Sequence, residues 1–110
     1  MWRYSLMCLL LVACLQPKEF DQNRWLNADL GGRERADMMA SLLRKHPLIG
    51  LSRQQVTALL GAPTQAPSSG DIDMIYVLGN DGTMFAIDNE WLEIHLDKHD
   101  RVTSFRRTKD

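Results

Sequence analysis

Neither sign of charge prevails in this sequence: 13 lysines and arginines stand against 14 aspartates and glutamates, a formal net charge of -1. Phosphate binding at useful affinity needs a clustered basic excess, so nucleic acid is not expected as a partner. No apolar run approaches the roughly 20 residues that span a bilayer as a helix, so a transmembrane anchor is not expected. No GxSxG, P-loop, GxGxxG, HExxH or CxxC occurs, and no serine stands in a nucleophile–base arrangement. No enzymatic activity, cofactor or metal is therefore expected. Internal repeats and low-complexity segments are also lacking. What remains is an ordinary globular composition, 45% apolar and 25% charged, over 110 residues, enough for one small domain.

The first feature present is a leader. "MWRYSLMCLLLVAC" carries one basic residue, Arg3, then an apolar run from Leu6 to Ala13 that ends in a small residue before Cys14. This is the layout of a secretory signal. "LVAC", Leu11 to Cys14, resembles the bacterial lipobox, in which an aliphatic residue, a tolerant position and a small residue precede a cysteine. In that signal the thiol receives a diacylglyceryl group and the cysteine becomes the first mature residue. Cleavage before Cys14 discards Cys8 and leaves one cysteine with no internal partner, a thiol that lipidation consumes. An ordinary signal peptide with a free Cys14, or a buried N-terminal helix, are the alternatives at this level.

The next stretch, Leu15 to Asp37, is polar, contains Pro17 and the pair Gly31 and Gly32, and lacks a sustained apolar period. It reads as a tether leading into the domain. Phe20, Trp25 and Leu30 interrupt its polarity and are candidates to dock on the body, leaving Leu15 to Glu19 loose. From Arg33 to Lys45 the residues Met38, Met39, Leu42 and Leu43 lay one apolar stripe along a helix. Arg44, Lys45 and His46 complement its dipole, and Pro47 ends it. Methionine in such a stripe is read as core filling.

"LIGLSRQQVTALLGAP", Leu48 to Pro63, holds a complete set of helix boundaries. Ser52 and Gln55 form a capping box, Leu51 and Val56 a hydrophobic staple, and Gly61 with Pro63 closes the other end. Arg53 to Leu60 is too short to persist alone, where roughly 12 to 15 residues are marginal, so Val56, Leu59 and Leu60 must pack. Thr64 to Asp71 is a loop by composition. Beyond it the period becomes two. Met74, Tyr76 and Leu78 alternate with Ile75 and Val77; "TMFAI", Thr83 to Ile87, follows the turn "NDG" as a further strand; Leu92, Ile94 and Leu96 oppose Glu93, His95 and Asp97. After a turn at Lys98 to Asp100, "RVTSFRR" is the last strand. The expectation is an α+β fold, two helices packed on one face of a three- or four-stranded antiparallel meander. Residues 1–13 form the signal, 14–32 the tether and N-terminal segment, and 33–110 the domain.

The order "FDQNRW", "RADMMASLL", "GLSRQQVTALLGAP", "YVLG" and "LEIHLDKHDRV" resembles the small lipoproteins of the SmpA/OmlA (BamE-like) family. That resemblance implies a fold like the β-lactamase-inhibitor-protein half-domain, two helices on a three-stranded sheet. It also implies a lipid anchor at Cys14, a place on the periplasmic side of the outer membrane, and a protein partner in the envelope, the barrel-assembly machinery. Leu15 is not the aspartate that commonly retains lipoproteins at the inner membrane, which by resemblance favours the outer one. No partner-binding residue carries over beyond the cysteine.

Among the remaining polar residues, His95 and His99 flank Asp97, with Asp100 beyond, but without the spacing of a zinc site. The aspartates sit at turns and strand ends, where they serve their own hydrogen bonds. The basic final strand reads as a solvated edge. Trp91, Glu93 and His95 form the candidate binding patch, an aromatic beside polar groups on the outer sheet face. Two roles follow: a lipid-anchored periplasmic interaction module accessory to outer-membrane protein assembly or envelope integrity, or a small binding or inhibitory module acting on a periplasmic enzyme or ligand.

Overall fold

Five apolar residues in a row, "MIYVL", open the first strand, a run with no polar side for water. The computed structural model describes residues 18–65 and 70–110, and the leader with Cys14 lies outside them. Among the described residues, three helices, α1 (Gln22–Leu26), α2 (Glu34–Lys45) and α3 (Arg53–Leu60), precede three strands, β1 (Met74–Asn80), β2 (Asn89–Leu96) and β3 (Val102–Lys109). The strands form one antiparallel meander in the order β1-β2-β3. The fold is thus α+β, as expected, with the helices covering one face.

That face is the core. Met74, Tyr76 and Leu78 of β1 and Leu92 and Ile94 of β2 meet Met38, Met39 and Leu42 of α2 and Val56 and Leu60 of α3, all fully buried. The methionine stripe is therefore core, as its spacing predicts. Helix α3 has the capping box read from the sequence: Gln55 N donates to Ser52 Oγ, and Ser52 N to the Gln55 side chain. Gly61 ends it with φ +82. Its start is stitched to the beginning of β3, where Gly50 N donates to Val102 O and Val102 N to Leu51 O. Arg53 adds a two-pronged pair with Asp100, at 3.0 and 3.2 Å. The caps fix a helix that locks the last turn of the meander in place.

Two expectations are corrected. The segment before residue 33 holds a helix of its own, α1, whose N-cap Asp21 accepts from Arg24 N. Trp25 and Phe20 are buried, and Trp25 Nε1 donates to Leu60 O at 3.1 Å, so both dock as expected, whereas Leu30 stays exposed. Glu19, expected loose, pairs with Lys45 at 2.7 Å and with Arg44 at 3.3 Å. The domain body therefore includes residues that the sequence assigns to the tether. Second, Thr83 to Ile87 is not a strand. Asp81 Oδ1 accepts from both Thr83 N and Thr83 Oγ1, and Asn80 Oδ1 accepts from Gly82 N. These side-chain bonds hold the chain in turns instead of a ladder. The β1–β2 connection is an eight-residue loop closed by Asp81 N donating to Asp88 O at 2.9 Å.

Arg35 and Glu90 are buried charges that no local sequence pattern announces. Arg35 lies over the Trp25 ring, 4.9 Å from its centroid, and donates to the carbonyls of Trp25 and Val77, joining α1, α2 and β1. Burial pushes its pKa down from the usual arginine value, and the two carbonyls and the ring compensate the lost water. Glu90 accepts from Arg107 Nε at 2.6 Å and from Arg33 Nη1 at 3.2 Å, tying the start of α2 to β2 and β3.

Candidate functional site

Alternation along β2 sends Trp91, Glu93 and His95 to the face opposite the helices. Register supplies their neighbours: Val77, Trp91 and Thr108 form one row across the sheet, and Ile75, Glu93 and Arg106 the next. The segment after α3 turns beside this face. Thr64 N donates to Ile75 O, Thr64 Oγ1 accepts from Val77 N, and Gln65 bridges to Ile75. An open groove of about 440 Å³ results, with Ile72, Ile75 and Trp91 as its apolar part and Glu93, Arg106 and Asp110 as its charged part.

The polar groups of the groove are held in position. Trp91 Nε1 donates to Asp110 Oδ1 at 2.7 Å. Glu93 accepts from Arg106 Nε at 2.7 Å and more weakly from Thr108 Oγ1 at 3.4 Å. Each partner comes from β3 or the residue after it, so the indole and the carboxylate keep fixed orientations without a ligand. The structure brings Trp91 and Glu93 together in one groove. His95 does not line it; its Nδ1 sits against the Asp71 carbonyl oxygen at the other end of the sheet face.

Chemically the groove offers an apolar surface beside cationic and anionic groups. That arrangement suits an extended segment carrying an aromatic or aliphatic side chain and mixed charge. Among the described residues, no group of three or more histidine, cysteine, aspartate and glutamate side chains stands close enough to hold a metal ion. His99 lies in the β2–β3 turn, where Asp97 Oδ1 accepts from His99 N and Arg101 N. Bonds from the backbone of Arg101 and then of His99 hold the Asp97 carboxyl below its usual range. Its aspartate is thus engaged in shaping the turn.

One exposed feature escapes a reading of the sequence because "TMFAI" is a short apolar run after a turn, as a buried strand would be. Met84, Phe85 and Ile87 are 92%, 78% and 80% exposed in the β1–β2 loop. The signal that could have found it is the "NDG" and "DN" pair flanking the run, turn chemistry on both sides of five residues. Compared with protein-family models, with curated proteins and with solved structures, the chain matches none.

Proposed function

We propose that this chain is a lipid-anchored interaction module of the cell envelope, held by Cys14 at the periplasmic face of the outer membrane. Its outer sheet groove at Trp91 and Glu93 receives a protein partner. The observation that carries the reading is the leader: a basic residue, an apolar run and Ala13 stand in order before Cys14, the one cysteine left once the leader is removed. The motif order that resembles the SmpA/OmlA family supports an accessory role in outer-membrane protein assembly. The groove supports binding, because its indole and Glu93 are already held by neighbouring side chains and present a preformed apolar and charged surface.

A photoreactive residue in place of Thr108, which stands beside Trp91 on the outer sheet face and lines the groove, tests the reading in intact cells. It is expected to give a discrete protein adduct that is lost when Trp91 is also replaced by alanine. The same photoreactive residue at exposed Gln54 on α3 gives no such adduct. Identical patterns from the two positions, or no adduct at either, would contradict a partner in the groove. An adduct with a periplasmic enzyme in place of an assembly factor would favour the inhibitory role.

A further inference from the structure

We infer that the β1–β2 loop is a membrane-docking loop, which inserts Met84, Phe85 and Ile87 into the acyl region of the bilayer that holds Cys14. This rests on the anchoring proposed above. Single exposed apolar residues are ordinary, but three among four consecutive positions, each at least 78% exposed, form a projecting apolar tip. The tip stands on an ordered base. Asp81 holds Thr83 by two bonds, Ala86 N donates to Thr83 O, and Asp81 N donates to Asp88 O. Insertion therefore costs little ordering of the loop.

The short chain between Cys14 and the domain body selects the bilayer as its partner. Arg33 donates to the Asn80 carbonyl, and its guanidinium adjoins Gly82 at the foot of the loop. The neighbouring Glu34 pairs with Lys18 Nζ at 3.7 Å. Two residues on, Phe20 N donates to Ser41 Oγ, seven positions further down α2. The chain thus lies along α2, with the Lys18 ammonium reaching its loop end and Glu19 pairing with Arg44 and Lys45 at the other. Four residue steps separate Cys14 from Lys18, a covalent reach of at most about 14 Å. A lipid on Cys14 consequently keeps the body within a short tether of the membrane, where a second, apolar contact becomes an intramolecular event.

Charge gives the docking its character. Between Asn80 and Asn89 the loop carries Asp81 and Asp88 and no lysine or arginine. Arg33 and Lys109 near its foot face Glu90 and Asp81, so neither is free to draw anionic headgroups to it; the contact is with acyl chains and is expected to be as strong on neutral as on anionic vesicles.

The test uses the full chain as purified from cells, carrying Phe85→Trp, mixed with phosphatidylcholine vesicles whose acyl chains are brominated. The added indole is expected to shift to shorter wavelength and be quenched beyond any change in the wild-type protein, whose Trp25 is buried, whose Trp91 is on the sheet and whose Trp2 leaves with the leader. Replacing Met84 and Ile87 by aspartate in that variant should abolish the quenching. Each buried apolar side chain favours the inserted state by roughly tenfold or more, so two charges are ample. Mass spectrometry of the same sample reports whether Cys14 carries lipid. Quenching without lipid would uphold the loop and overturn the anchor. Lipid on Cys14 with an unquenched, water-exposed indole at position 85 would overturn the loop and leave the anchor standing. Quenching confined to anionic vesicles, or seen only with an added protein partner, would likewise overturn acyl-chain insertion.

Discussion

Glu90 and Tyr76 show how single polar groups are accommodated inside this small domain. The Glu90 carboxylate is shared between Arg33 and Arg107, whose own side chains remain partly in water. Removing it leaves two half-shielded guanidiniums without their acceptor, and Glu90→Ala is expected to cost about 2 kcal/mol. Chemical denaturation measures this, and an unchanged midpoint would show that water replaces the carboxylate freely. Tyr76 is fully buried, and its hydroxyl donates to Gly61 O at 2.7 Å, joining β1 to the end of α3. Burial pushes its pKa up to about 12, against smaller opposing effects of Thr57 and Arg35. A folded pKa above the unfolded one, about 10, means that Tyr76 contributes stability that is complete below pH 10. That contribution is lost as pH rises through about 12. Tyr76→Phe should lose about 1 kcal/mol at neutral pH from the missing bond and should also remove the alkaline decline. Denaturation midpoints compared at about pH 8 and pH 11, on either side of the unfolded tyrosine pKa, give both numbers. Parallel declines in wild type and variant would exclude Tyr76 as the cause.

The elements differ in how far local sequence determines them. Helix α3 is legible almost completely, because Ser52, Gln55 and Gly61 act on their own neighbourhood; Ser52→Ala is expected to cost about 1 kcal/mol by thermal melting. Strand β2 is legible from its alternation, which burial of Leu92 and Ile94 on one side reproduces. Helix α1 is not, since five residues carry too little periodicity and Trp25 owes its burial to Leu60 and Arg35 elsewhere in the chain. The loop at Thr83 to Ile87 passes for a strand because its apolar run is plain, whereas the turn-forming bonds of Asn80 and Asp81 that override it are not. Gly79 marks another tertiary constraint. It sits in β1 with φ +130 at the bulge opposite Glu90, and an added Cβ would lie 1.9 Å from the Gly32 carbonyl oxygen. Gly79→Ala should therefore cost at least about 3 kcal/mol, through backbone strain and forced separation of β1 from the segment before α2. A melting temperature close to wild type would mean that this approach is readily relaxed.

At the scale of the whole molecule, the fold class follows from the change of period between helices and strands, and the structure has that α+β meander. The candidate site is legible only in part. Trp91 and Glu93 face outward as the alternation of β2 requires, but the groove depends on Ile72 and Gln65, which arrive from a loop whose path no local rule specifies. The structure also shortens the segment available as a tether, because Phe20 and Trp25 belong to the core and Glu19 is paired to the end of α2. A body so close to Cys14 makes the chemistry of that residue decisive for the account. Mass spectrometry of the protein isolated from the membrane fraction is the most direct measurement. A chain that begins at Cys14 with a diacylglyceryl group on its thiol is the expected result. A chain that begins at Met1, or a free Cys14 thiol in soluble material, would contradict it.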